Sequence, residues 1–496
     1  MIDNLQEEDD HKEKKVIKDA TAFSGTLYFS QALYVARGFI IAQVLGPALY
    51  GVWSIFKAFF ASAPYFGLGT QQAMLREVPF SAGEGNKNRK AIITQTSLSW
   101  NLLLTSMIMI LAFIISFTSF AAEYAGELRL AGFLFVLNAL HVFIRTKFKS
   151  EQKILMLSKF MLSYAVLNTL FGLTFLFFFR LSGLLIGMIL AHISLFIYLI
   201  KNDYLSLQFF IDKKILKELL GIGFPIMILM FLFFLMGNID KFLVFIFLGK
   251  TTAGYYGLAA FVSSMVGYIS HSISTVIFPR MMYMYGKTQE IKQIEKYLNK
   301  PLVFLSAVIP IILGLIYINI EAVINLFLPQ YKPGVTALHI LIAALLFSTL
   351  WSLPTNMLIA LKKQKKFMYM NGTILILSII FDIAAILAGF GLNGVAVVRT
   401  FFFFLASAIA NGYAYFSLKK NIHQIINNLF TIYWPFIYSF AGMFFIMAFS
   451  FSNQVIFDNL LKSLLFLLFN IPILIYIEKK SNILSKVFTS FGKFKK

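Results

Sequence analysis

Four cations lie deep inside apolar runs of this chain: Arg37, Lys57, Lys241 and Arg399. A charged side chain at such a depth is costly in hydrocarbon and faces a wet cavity or a partner. Arg37 stands 8 residues before Leu45, and Lys241 stands 7 before Leu248. Lys57 and Arg399 follow outer turns at comparable spacing. At helical rise each lies roughly 10–14 Å below the outer face, near the midplane of a hydrocarbon core about 30 Å thick. A layer of Arg and Lys suits a phosphate-like anion, which Arg grips bidentately and Lys holds as a point charge. Asp240 and Asp382 fall at similar depth, so four cations face two carboxylates. The two aspartates are candidates for tuning the cavity or for binding H+ or Na+. His141 and His271 titrate near neutrality when solvated and are further coupling candidates.

Polar residues around these groups follow helical spacing. Tyr28, Gln31, Tyr34 and Arg37 step by three; Asn138, His141 and Arg145 step by three and four. Ser264, Tyr268, His271 and Thr275 form a third stripe, and Asn371, Ser378 and Asp382 a fourth. Such spacing puts each set on one helix face, where it lines a cavity or bonds a neighbouring helix.

Other chemistries are excluded by what the chain lacks. There are no cysteines, so thiolate metal sites and thiol nucleophiles are out, and no metal-ligand spacing is present. Gly249-Lys250-Thr251 looks like the end of a phosphate-binding loop, but Val244 stands where its first glycine is required. No other nucleotide motif and no hydrolase signature appears. No cofactor and no enzymatic activity are expected.

The elements that carry these residues must be membrane helices. Of 496 residues, 59% are apolar and only 13% charged, about half the charge fraction of a soluble domain. Runs of spanning length predict helices near 23–45, 48–70, 91–118, 129–149, 155–179, 183–200, 222–248, 252–278, 301–320, 334–361, 367–388, 392–416, 430–450 and 460–477. The expected fold is therefore an all-α polytopic membrane protein of about 14 spans.

The net charge of +21 has a topological cause and does not point to nucleic acid. Of 43 Lys and Arg, 34 fall in the two tails and the loops after even-numbered helices, and 5 fall on the other side. That places both termini of the multi-pass chain in the cytoplasm. The halves also repeat. Gly46 with Tyr50-Gly51 matches Gly249 with Tyr256-Gly257, Gln152-Lys153 matches Gln364-Lys365, and Gly183 matches Gly394, roughly 205–212 residues apart. Six helices per copy gives parallel lobes. The predicted organisation is a tail at 1–22, an N-terminal six-helix lobe at 23–201, a linker at 202–221, a C-terminal lobe at 222–420, two further helices within 430–477, and a basic tail at 478–496.

Four blocks carry a family resemblance: LGPALYGVWSIFKAFFASAPYFGLGTQQAMLREV (45–78), FPIMILMFLFFLMGNIDKFLVFIFLGKTTAGYYGLA (224–259), LPQYKPGVTALHILIAALLFSTLWSLPTNMLIALKKQKK (328–366) and GLNGVAVVRT (391–400). With them the chain resembles the Wzx-type polysaccharide flippases of the MATE-like superfamily. The resemblance implies two six-helix lobes around a cationic central cavity. It implies an undecaprenyl-diphosphate-linked oligosaccharide as substrate, flipped from the inner to the outer leaflet for O-antigen-like or capsule-like polysaccharide. Membrane lipids and a polysaccharide polymerase machinery are the implied partners. On this reading Arg37, Lys57, Lys241 and Arg399 hold the diphosphate, and Tyr28, Gln31, Tyr34, Tyr268 and Trp351 are candidates for glycan contacts. The alternatives are an ion-coupled multidrug exporter, which would favour a carboxylate-rich cavity, and a membrane glycosyltransferase or O-antigen polymerase. The latter needs a sizeable outer loop, and the predicted outer loops are all short.

Overall fold

In lipid, every backbone N–H and C=O must be paired within its own segment, so the apolar runs of this chain form helices. The computed structural model describes the backbone of residues 2–204, 208–288, 291–361 and 363–481. Side chains are described across these ranges apart from residues 2–22, 24, 120–121, 263–280, 282–288, 292–294, 364, 477 and 479–481. In order, the helices are α1 (Ile2–Ala61), α2 (Ala63–Phe66), α3 (Thr70–Gly83), α4 (Lys87–Ile115), α5 (Ala125–Ser150), α6 (Ile154–Lys201) and α7 (Lys213–Thr288). They continue as α8 (Ile291–Phe327), α9 (Val335–Ala360), α10 (Gln364–Leu387), α11 (Gly391–Ser417), α12 (Ile422–Met447), α13 (Val455–Phe469) and α14 (Ile471–Ser481). Among the described residues no strand occurs, and 11 helical stretches are long and apolar enough to cross a bilayer. The chain is an all-α, multi-pass membrane protein.

Three tight turns expected between helices are instead single breaks within a continuous helical stretch. α1 breaks at Gly46 (φ 71°, ψ 170°) and α7 at Gly249 (φ 83°, ψ 171°). Both glycines adopt the same backbone conformation, one that is essentially reserved for glycine. Each break is followed by a buried tyrosine, Tyr50 at 2% exposure and Tyr256 at 0%. The landmarks that align the two halves of the sequence thus share local geometry. α6 breaks at Phe179–Arg180, and there the second half folds back on the first. Gly183 and Gly187 make that return possible, because a Cβ at either would run into the Phe175 or Phe171 carbonyl. At Gly249 an added Cβ would meet nothing within 4 Å. Gly249→Ala is therefore expected to lower stability by about 1–3 kcal/mol through backbone strain alone. Thermal melting of the purified protein checks this, and an unshifted melting curve would show that the break does not need glycine.

The chain divides into two compact units, 1–238 and 239–496, with the boundary inside α7. In the first unit α1 packs chiefly on α6, and α5 lies against α4 and α6. The core there is built from Phe143, Ile144, Phe148, Phe160 and Leu195, all nearly inaccessible. The first part of α7 closes on the α2–α3 junction, where Gly69 and Gly223 meet backbone to backbone. Tyr65 stands between Phe231 and Phe234, at ring separations of 5.4 and 5.3 Å. Arg89 ties α4 to α7 through an ion pair with Glu218. Buried polar groups bond across helices: Gln71 donates to Asn101 at 3.0 Å, and Asn101 donates to Thr70 at 2.9 Å.

In the second unit α9 packs on α11, and α8 packs on α9 and α12. α13 docks on α8 and α12 through glycine notches, and α14 packs on α8. Phe466 of α13 fills the space at Gly314, and Phe469 fills that at Gly442. Asn319 donates to Ser463 at 2.9 Å across the same seam.

Candidate functional site

The first unit encloses a cavity of 380 Å³, within the size range of small-ligand sites. Its walls come from helix faces whose spacing is legible in the sequence. α1 supplies Tyr34 and Arg37 before the Gly46 break, and Trp53, Lys57 and Phe60 after it. α5 supplies Asn138, Val142 and Arg145, and α6 supplies Tyr164, Asn168 and Met188. Within each unbroken helical segment these residues step by three or four and share a face, and Met188 comes from the returning half of α6. Among the described residues three cations line the cavity, and no carboxylate does.

The cations differ in setting. Lys57 and Arg145 are exposed to the opening, while Arg37 is buried at 6% exposure. Nε and Nη2 of Arg37 are fully enclosed and have no hydrogen-bond acceptor among the described residues. A buried guanidinium with donors unmade is a costly arrangement that an anion would relieve. The other polar groups have defined tasks. Asn138 donates to the Phe60 carbonyl at 2.7 Å, satisfying the end of α1. Tyr164 lines the cavity and also packs at a tilt on His141, at 4.2 Å between ring centres.

His141 itself does not face the cavity. It sits in an aromatic cluster with Phe160, Tyr164 and His192, at 4.7, 4.2 and 5.4 Å. The α5 stripe therefore splits: Asn138 and Arg145 reach the cavity, and His141 packs inside the unit. On α1, Tyr34 joins Arg37, whereas Gln31 is half-buried and Tyr28 is 61% exposed. Tyr268 and His271 lie outside the described side chains.

The second unit holds a different arrangement. Asp240 of α7, 2% exposed, is ion-paired with Arg399 of α11 and accepts a hydrogen bond from the Tyr256 hydroxyl. Its Oδ1 also accepts from the Lys241 backbone N–H at 3.0 Å. Arg399 lies over the Phe403 ring at 5.0 Å, and Trp351 of α9 packs edge-on to Phe403 at 6.3 Å. Asp382 of α10 is 2% exposed, and its Oδ1 has no partner among the described residues. Lys241 follows Asp240 on α7, and its side chain is half-buried. So Arg37 and Lys57 line one cavity in the first unit, while Arg399 and Asp240 pair in the second.

Arg145 stands on the stripe that spacing assigned to the fourth predicted helix, but it was not counted with the four buried cations; α5 brings it to the cavity as the third. Trp53, Tyr164 and Asn168 were not singled out either. The signal available for them was the step of four from Trp53 to Lys57 and from Tyr164 to Asn168.

The family model described as "Polysaccharide biosynthesis protein" matches residues 40–336. A Shigella flexneri protein named "Putative O-antigen transporter" is 25% identical over 345 residues, covering 66% of this chain and 80% of its own length. Among solved structures, the lipid II flippase MurJ in an inward closed conformation gives a TM-score of 0.71 at 18% identity, over 92% of this chain and 99% of that one. An inward-facing multidrug resistance MATE family transporter of the MOP superfamily gives 0.66 at 17% identity, over 78% of this chain and 94% of that one. At those identities the structural likenesses speak to the fold. The resemblance and the fold class expected from the sequence blocks are borne out.

Proposed function

As the chain belongs to the polysaccharide biosynthesis protein family, we propose that it is a flippase for undecaprenyl-diphosphate-linked oligosaccharide, moving it from the inner to the outer leaflet of the bacterial plasma membrane. The observation that carries this reading is the first unit's cavity, which Arg37, Lys57 and Arg145 line with no carboxylate among the described residues. A diphosphate diester brings about two negative charges out of water and needs charge-assisted donors to receive it. The buried Arg37 offers two unmade N–H donors, and the amides and phenols beside it suit sugar hydroxyls. Lys241 and Arg399 remain candidates for the diphosphate in other steps of transport, although Arg399 has Asp240 as a partner. The lobes would alternate access around this charge.

The multidrug-exporter alternative is disfavoured by the same cavity, since an organic cation would meet three like charges. The test is reconstitution of the purified chain in liposomes with two cargoes, an undecaprenyl-diphosphate-linked trisaccharide and a lipophilic cationic dye. Transbilayer movement of the lipid-linked sugar, read by lectin access from outside, is the expected result. Dye movement with no sugar movement would discard the flippase reading in favour of the exporter.

A further inference from the structure

We propose that Gly172 is the residue that positions Arg37 for anion capture, by giving its guanidinium a bare stretch of helix to rest on; this rests on the flippase reading above. Gly172 extends the cavity face of α6, four residues on from Asn168 and eight from Tyr164. A Cβ built at Gly172 would stand 2.8 Å from Nη2 of Arg37 and 3.3 Å from both Nε and Cζ. The first of these separations is closer than a real Cβ approaches anything. The guanidinium is therefore seated where any residue other than glycine would place a side chain.

The seat cannot give way from behind. The second half of α6 returns against the same place, and a Cβ at Gly187 would lie 2.8 Å from the Gly172 Cα and run into the Phe171 carbonyl. With the helix backed in this way, a side chain at 172 would move Arg37 rather than α6. The two nitrogens pressed on the seat, Nε and Nη2, are the same two that lack acceptors. Together they form the side-on fork of the guanidinium, the edge that takes two oxygens of one phosphate. Gly172 holds this fork in one place, with no acceptor among the described residues. A phosphate in the cavity would supply the missing acceptors while the guanidinium stays on the seat. Gly172 thus sets the position at which the fork meets its anion.

The test couples Gly172 to Arg37 in the full chain, purified into lipid nanodiscs. Gly172→Ala is expected to lower the melting temperature in the wild-type background and to leave it unchanged in an Arg37→Ala background, where no guanidinium occupies the seat. Binding of undecaprenyl diphosphate should weaken about tenfold in Gly172→Ala, the effect of one misplaced charge-assisted contact. In an Arg37→Lys background, which has no planar fork to displace, the same substitution should change binding less than twofold. A Gly172→Ala effect of equal size in all three backgrounds, with wild-type binding intact, would show a general helix-packing role. That outcome overturns the seat and leaves the flippase reading standing. Coupled melting together with no undecaprenyl diphosphate binding by the wild-type chain supports the seat and overturns the flippase reading.

Discussion

Arg37→Ala is expected to abolish export when the chain replaces a deleted surface-polysaccharide flippase, with lipid-linked oligosaccharide accumulating on the cytoplasmic side. The reason is that Arg37 is the buried member of the three cavity cations, with an unmade fork of two N–H donors. Losing a charge-assisted contact of this kind costs about 1.5–3 kcal/mol, roughly ten- to a hundredfold in binding. Arg37→Lys keeps the charge, loses the planar fork and should recover export only in part. Membrane levels of each variant must match wild type, because a folding defect would give the same block. Lys57→Ala and Arg145→Ala should have smaller effects, since both side chains are exposed. Full export by Arg37→Ala at normal protein level would remove the anion-binding role of the cavity.

Arg399→Ala is expected to act first on stability. Arg399 is paired with Asp240 in the interior of the second unit, with side-chain exposures of 15% and 3%. Removing one member of such a pair leaves the other charge buried and unpaired, at about 3–5 kcal/mol. Removing both charges together is often nearly neutral. Arg399→Ala and Asp240→Asn should therefore each melt well below wild type, and Asp240→Asn/Arg399→Gln should recover most of the loss. The Tyr256 hydroxyl and the Phe403 ring remain in place to pack around the neutral pair. If Arg399→Ala melts with wild type yet blocks export, the pair is not structural and Arg399 acts on the cargo directly.

The sequence by itself determined the membrane fold, because the length and apolarity of each run decide whether a helix can span and leave it no other way to satisfy its backbone. It also determined the paired breaks, since Gly46 and Gly249 stand at matching places and only glycine tolerates the backbone they adopt. Helical spacing identified Tyr34 with Arg37, and Asn138 with Arg145, as single faces. It did not determine what each face meets. His141 belongs to the same stripe as Asn138 and Arg145, yet it turns into an aromatic cluster while they line the cavity. Four buried cations at matching depth looked equivalent, and the tertiary structure gave them unequal surroundings. Arg399 has a carboxylate partner from α7, and Arg37 rests on a glycine of α6. A period of 3.6 residues assigns a side chain to a face of its own helix. Which neighbour that face receives, and whether it brings an acid, a ring or bare backbone, is set by how helices distant in the chain pack together. No local pattern records that.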